Sequence, residues 1–252
     1  MKNKPLILGH RGYRKKYPEN TMLAFKKAYK YGADGIECDI QKTRDRLYVV
    51  THEDRLYRIA GHKGHVGGLT YKFLKKLDLG RGECIPLFKD FLDSLPRDKF
   101  INIELKDETM KPDDSPVILS MLKERGLKEN ILMSSFFHPF LPVFKKAGYR
   151  IGLLFEEEDF NNGIGKPLIS VLKYRPWSVN LPINRFTGDN LNFKMSVFLK
   201  IAKLLRMKII YWTVNTEKQY NEVAHYAHTV ITDNVELMVK LQKSRLNEQG
   251  VR

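Results

Sequence analysis

His10-Arg11 ends a short apolar run near the start of the chain, and Glu37-x-Asp39 and His52 follow it closely. Each residue type brings one capability. Two imidazoles can take a proton from one oxygen and give one to another. A guanidinium matches phosphate oxygens, and neighbouring carboxylates hold a cation. Together they suit the cleavage of a phosphate ester.

Glu37 and Asp39 are two apart on an expected strand, so their carboxylates share a face. Burying both charges without a partner would be very costly, and a bound cation resolves the conflict. Glu104, in the apolar run Phe100-Ile101-Asn102-Ile103-Glu104-Leu105, has the same difficulty and suggests a third ligand. Three carboxylates without clustered thiols favour a hard divalent ion, Mg²⁺ or Ca²⁺, over zinc. The plainer alternative pairs Glu37 or Glu104 with Arg11 or Lys106. General acid–base catalysis by His10 and His52 supplies typically ~10²–10⁴-fold, too little for a phosphodiester. The remainder falls to positive charge at the phosphorane: the metal, Arg11 and Lys106. Trp212 either fills the core or forms an apolar wall against an alcohol group, and its place at a strand end favours the wall. Cys38, alternating with the two carboxylates, is expected to face outward beneath a helix. The Gly-rich stretch around His62 and His65 reads as a surface loop, not a phosphate cradle, and His138, His225 and His228 receive no role.

Strands alternating with amphipathic helices must position these groups. Strands are expected at 6–9, 35–40, 47–51, 100–105, 131–134, 150–155, 178–181, 208–213 and 229–232. Helices are expected after Asn20-Thr21 and near 87–94, 116–125, 139–146, 194–206, 217–227 and 235–243. Repeated β–α units predict a parallel sheet, and nine strands are one too many for an eightfold barrel. The six residues between Ile40 and Leu47 are too few for a parallel crossover, so this pair is expected to be an antiparallel hairpin. A two-residue loop at Asp45-Arg46 would set Asp39 opposite His52. The fold class that follows is α/β: one (β/α)8 TIM barrel over residues 1–252, with a hairpin arm. His10, Glu37, Asp39, Glu104 and Trp212 then fall at the carboxyl-end mouth, where such barrels carry their active sites.

Composition limits the alternatives. At 252 residues with 42% hydrophobic and 29% charged, the chain has enough apolar material for a full core. No stretch nears the ~20 apolar residues of a membrane span, and no signal peptide is read at the N-terminus. Cys38 and Cys84 are too few for a disulfide framework, so a cytoplasmic setting is expected. The net charge of +15 raises nucleic acid or an anionic membrane as partners. The basic doublets are scattered and no nucleic-acid motif accompanies them, so no nucleic acid is expected; weak contact with an anionic membrane stays open. The oligomeric state is not readable.

As an ordered set, the motifs resemble the glycerophosphodiester phosphodiesterase family. They are His10-Arg11-Gly12, Pro18-Glu19-Asn20-Thr21, Ala33-Asp34-Gly35-Ile36-Glu37-x-Asp39, His52, Ile103-Glu104-Leu105-Lys106, Ser134-Ser135-Phe136, Trp212-Thr213-Val214-Asn215 and Ile231-Thr232-Asp233. The resemblance implies a barrel with a small insertion after the second histidine, here about 53–85. It implies hydrolysis of small-molecule glycerophosphodiesters to glycerol 3-phosphate and an alcohol, with one divalent metal. His10 and His52 would be the acid/base pair, and Glu37, Asp39 and Glu104 the metal ligands. Arg11 and Lys106 would contact phosphate, with Glu19 and Asn20 in support. Two positions depart from the family pattern: Glu53 stands where Asp is usual after the histidine, and Ile85-Pro86-Leu87-Phe88 lacks a helix-capping hydroxyl. The competing readings are a phosphoinositide-type phospholipase C, a lysophospholipase D acting at membranes, and a non-catalytic anion-binding barrel.

Overall fold

In the computed structural model, residues 4–186, 188 and 193–250 are described. The element order begins β1 (Leu6–Gly9), α1 (Met22–Lys30), β2 (Gly35–Lys42), β3 (Tyr48–Val50), α2 (Tyr57–Ala60), α3 (Tyr71–Leu74) and α4 (Phe88–Asp93). It continues with β4 (Phe100–Leu105), α5 (Ser115–Glu124), β5 (Ile131–Ser135), α6 (Pro142–Lys146), β6 (Arg150–Leu154) and α7 (Gly165–Tyr174). It ends with β7 (Ser178–Pro182), α8 (Phe193–Leu204), β8 (Lys208–Trp212), α9 (Glu217–Val223), β9 (Thr229–Thr232) and α10 (Val235–Gly250).

The strands run β1-β9-β8-β7-β6-β5-β4-β2 and close through a parallel β1–β2 pair, while β3 continues β2 as an antiparallel arm. This is the eightfold parallel barrel expected from the β–α alternation. The period of two divides each strand between two environments. Ile36, Cys38 and Ile40 of β2 turn outward into the large apolar layer under the helices, so Cys38 packs as expected. A smaller cluster of Leu8, Phe100, Leu132, Ile210 and Ile231 fills the barrel floor. Gly35 lets β2 approach β4: a Cβ there would lie 1.9 Å from the Phe100 carbonyl oxygen.

Two expectations need correction. The hairpin register is Ile40↔Val50, Gln41↔Val49 and Lys42↔Tyr48, so Asp39 faces Thr51 and not His52. The loop holds three residues, closed by Thr43 N–H donating to the Leu47 carbonyl, with Arg46 at φ 62°. A type of three-residue hairpin loop that ends on a left-handed residue is common, and the extra residue moves the register by one. His52 reaches the mouth because it lies beyond the end of β3. The second miss is α7. Its start, Gly163-Ile164-Gly165-Lys166-Pro167, reads as a loop and has no side-chain cap; packing of Pro167 and Val171 against the barrel holds it.

At α1, the Thr21 hydroxyl accepts from Ala24 N–H at 3.2 Å, which confirms the start signal. Leu87 caps α4 with no side-chain bond, as its missing hydroxyl requires. The segment between β3 and α4 carries α2, α3 and the 3₁₀ turn Val66–Gly68, and packs Leu56, Val66, Leu74 and Ile85 in one cluster with Val49 of β3.

Candidate active site

Strand register assembles the carboxylates. Asp39 on β2 is paired with Glu104 on β4, and Glu37 lies two residues back on the same inward face. The three offer oxygens all within 4.8 Å of one another, and all three residues are buried. Their environments differ. Burial pushes Glu37 well up, and Asp39 and Glu104 add repulsion. Burial also raises Glu104, to about 7, against the opposing pull of Lys106. Burial would raise Asp39 too, but Arg11, His52 and Lys106 and a hydrogen bond from Asn20 outweigh it and hold it at about 2.

The plainer alternative, pairing with cations, accounts for part of this charge. Lys106 Nζ donates to Glu104 Oε1 at 3.0 Å, and Arg11 Nε lies 3.4 Å from Asp39 Oδ2. Glu37 accepts from the Arg11 backbone N–H at 2.9 Å and lies 4.0 Å from His10 Nε2. A hard divalent ion takes oxygen ligands at about 2.0–2.6 Å, and oxygens held this close suit it. The donor set therefore fits the implied metal.

Arg11 adopts φ 52° and Gly12 φ 81° directly after β1. This left-handed turn aims the Arg11 N–H at Glu37 while the guanidinium turns toward Asp39 and Glu19, whose Oε1 accepts from Nη1 at 2.9 Å. Asn20, also left-handed at φ 55°, donates its amide to Asp39 Oδ2 at 2.9 Å. Non-glycine residues held there are costly and cluster at functional sites.

Both histidines lie at the mouth. His10 Nδ1 is 2.7 Å from Asp233 Oδ1, and Asn215 Nδ2 donates to Asp233 Oδ2 at 2.9 Å. Burial lowers the His10 pKa, with the Asp233 hydrogen bond opposing. His52 Nε2 is 3.3 Å from Lys106 Nζ, and its Nδ1 is 3.4 Å from Glu53 Oε1. Burial pulls His52 down to about 4, with Asp39 opposing and Arg11 and Lys106 adding to the fall. Gln41 fixes the loop by donating to the His52 carbonyl at 2.7 Å.

One cavity of about 470 Å³ is lined by His10, Arg11, Glu37, His52, Glu104 and Lys106. Phe136 and Trp212, edge to face with centroids 5.7 Å apart, make its apolar wall. Glu19 stands behind the site, between Arg11, Arg14 and Arg58.

Reading from sequence missed four partners. Asp233 and Asn215 follow β9 and β8 inside quoted motifs but received no role; a polar residue just past a barrel strand was the available signal. Arg14 stands in the basic triplet Arg14-Lys15-Lys16, which by itself reads as a solvated surface run. Arg58 carries no local signal, because only the folding of the insertion brings it to Glu19 and Glu53.

Comparison with known proteins identifies the family. The model of the Glycerophosphoryl diester phosphodiesterase family matches residues 10–237. A glycerophosphodiester phosphodiesterase of Caldanaerobacter subterraneus is 30% identical over 251 residues, covering 94% of this chain and 98% of that protein. The crystal structure of glycerophosphodiester phosphodiesterase from Thermotoga maritima superimposes with a TM-score of 0.79 at 33% identity, covering 95% of this chain and 99% of that one. An Oleispira antarctica phosphodiesterase, solved in complex with the product sn-glycerol-3-phosphate, shares the fold with a TM-score of 0.78 at 20% identity, covering 95% and 97%. With the motif order, the closed barrel and these matches in agreement, the chain belongs to the glycerophosphodiester phosphodiesterase family and is a phosphoric diester hydrolase.

Proposed function

We propose that the enzyme hydrolyses small glycerophosphodiesters to sn-glycerol 3-phosphate and an alcohol by metal-assisted, two-histidine acid–base catalysis. One observation carries this reading: Glu37 and Glu104, which cluster with Asp39, border the same cavity as His10 and His52. Glu37, Asp39 and Glu104 would hold a hard divalent ion, Mg²⁺ or Ca²⁺, which when bound neutralises charge on the phosphate oxygens.

The protein's own residues do the rest. Arg11 and Lys106 supply fixed positive charge beside the phosphate position, where it counts most as the phosphorane forms. Asp233 accepts a hydrogen bond from His10 Nδ1, and Lys106 Nζ lies 3.3 Å from His52 Nε2. One histidine takes the proton of the attacking oxygen and the other protonates the leaving alkoxide. Phe136 and Trp212 screen the alcohol side from water. Glu19 and Asn20 hold Arg11 and Asp39 in place.

Residues 1–252 act as one domain in this proposal, since barrel closure joins β1 to β9 at opposite ends of the chain. A cytoplasmic setting fits two free cysteines. Among the described residues no helix is long and apolar enough to cross a membrane. The test is release of glycerol 3-phosphate from glycerophosphocholine with and without chelator, in the wild type and in His10→Ala and His52→Ala. Metal-independent release, or full activity in either folded variant, would overturn the mechanism.

A further inference from the structure

The net charge of +15 is unevenly spread. Between Phe160 and Thr216 the sequence holds nine lysines and arginines and one carboxylate, Asp189, which lies outside the described residues. That stretch accounts for more than half of the net charge, and it builds α7 and α8. The two helices belong to consecutive crossovers, β6 to β7 and β7 to β8, so they are neighbours on the flank of the barrel. Lys194 at the start of α8 lies against Gly163 just before α7, which brings their leading ends together.

The same helices expose apolar side chains that the core does not use. Pro167 and Val171 of α7, and Met195, Phe198 and Leu199 of α8, face inward. On the outward side Ile169 is 67% exposed, Leu172 61%, Phe193 82% and Leu204 81%. Among the described residues, Tyr57 alone of the other large apolar side chains exceeds 60%. Lys166, Lys173, Lys200 and Lys203 on the same helices, and Arg175 and Arg206 just past their ends, are exposed as well. Scattered single exposures need no explanation, but concentration on two adjacent helices does.

We infer that the outward face of α7 and α8 is an interfacial docking surface for an anionic lipid bilayer. Lysines flanking Ile and Leu on one helical face match acidic head groups above acyl chains. A second copy of the chain would set cations against cations, which opposes self-association through this face. Of these four apolar side chains only Phe193 is aromatic, too little to form a stacking platform for nucleic-acid bases. Docking by the flank would keep the catalytic mouth open to water, so soluble diesters reach it while the enzyme is adsorbed.

The experiment is co-sedimentation of the full chain with vesicles of phosphatidylcholine alone and of phosphatidylcholine mixed with phosphatidylglycerol, at low and raised salt. Binding is expected only to the anionic vesicles, and to weaken as salt screens it. Lys200→Gln with Lys203→Gln should lower partitioning roughly 30-fold, given about 1 kcal/mol per basic residue near the surface. Ile169→Ser with Leu172→Ser should lower it roughly tenfold. Hydrolysis of soluble glycerophosphocholine should be unchanged in both pairs, which separates this surface from the catalytic site and reports on folding. The proposal is overturned by absence of binding to anionic vesicles, or by binding that neither pair reduces. Two other findings would overturn it without vesicle binding: a dimer dispersed by Ile169→Ser with Leu172→Ser, or oligonucleotide retention abolished by the lysine pair.

Discussion

His10 Nδ1 lies 2.7 Å from Asp233 Oδ1, and the second Asp233 oxygen accepts from Asn215 at 2.9 Å. This chain of contacts joins β1, β9 and the segment after β8 across the barrel seam. It fixes His10 with Nδ1 as the donor and leaves Nε2 facing the cavity. The His10 hydrogen bond also holds Asp233 at about 2 against the upward push of burial, with Asn215 and Arg14 assisting.

Asp233→Asn should therefore lower kcat by about 10²–10⁴-fold, since the amide cannot stabilise an imidazolium or enforce the tautomer. KM should change little, because Asp233 does not line the catalytic cavity. Steady-state kinetics with glycerophosphocholine and a thermal melt would check this. A variant with wild-type kcat would remove Asp233 from the mechanism.

Chelation should abolish turnover, and Mg²⁺ or Ca²⁺ should restore it, because burial and repulsion from Asp39 and Glu104 outweigh the pull of Arg11 on Glu37. Glu104→Gln should raise the metal concentration for half-maximal activity by at least tenfold. Metal titrations of the two proteins provide the comparison. Equal requirements would mean that Glu104 serves only Lys106, its 3.0 Å partner.

Arg58 ties the insertion to the site. From α2 it donates to Glu19 Oε2 at 2.9 Å and to Glu53 Oε1 at 2.9 Å, and Glu53 borders His52. Arg58→Ala unties Glu53 from Glu19, which keeps Arg11 and Arg14, and should cut kcat/KM about tenfold, with Arg58→Lys recovering part of it, since Lys keeps the charge but not the fork. Single exposed ion pairs contribute about 0–1 kcal/mol, so the melting temperature should hardly move. Unaltered kinetics in Arg58→Ala would show that the insertion needs no latch.

Acid stability should report on Asp114. Its carboxylate accepts from Lys42 Nζ at 2.8 and 2.7 Å, Tyr48 Oη at 2.8 Å and Lys111 N–H at 2.8 Å, linking the hairpin arm to α5. Burial raises its pKa, but these donors outweigh burial and hold it below the usual range. A depressed folded value contributes stability in full above the unfolded pKa of about 3.9, and loses it as pH falls through the folded value. Wild type should thus melt above Asp114→Asn by a constant margin from pH 6 to 8, a margin that shrinks below about pH 4. A margin independent of pH would exclude the carboxylate charge as its source.

Much of this was legible along the chain. The β–α alternation announced the barrel, and the short Ile40–Leu47 spacing identified the odd strand as a hairpin arm. The period of two put Glu37 and Asp39 on one face and Cys38 on the other. These are local properties, set by backbone geometry and apolar spacing. Helix α7 escaped because a Gly/Pro-rich start resembles a loop until the barrel wall packs against it.

The sequence by itself determined the fold class and the chemical types at the mouth, because periodicity and residue identity travel with the chain. Tertiary structure decided which groups meet. The β2–β4 register set Asp39 beside Glu104, barrel closure brought Asp233 to His10, and one loop residue changed the partner of Asp39 from His52 to Thr51. Such juxtapositions depend on register and closure across tens to hundreds of residues, and no local pattern encodes them.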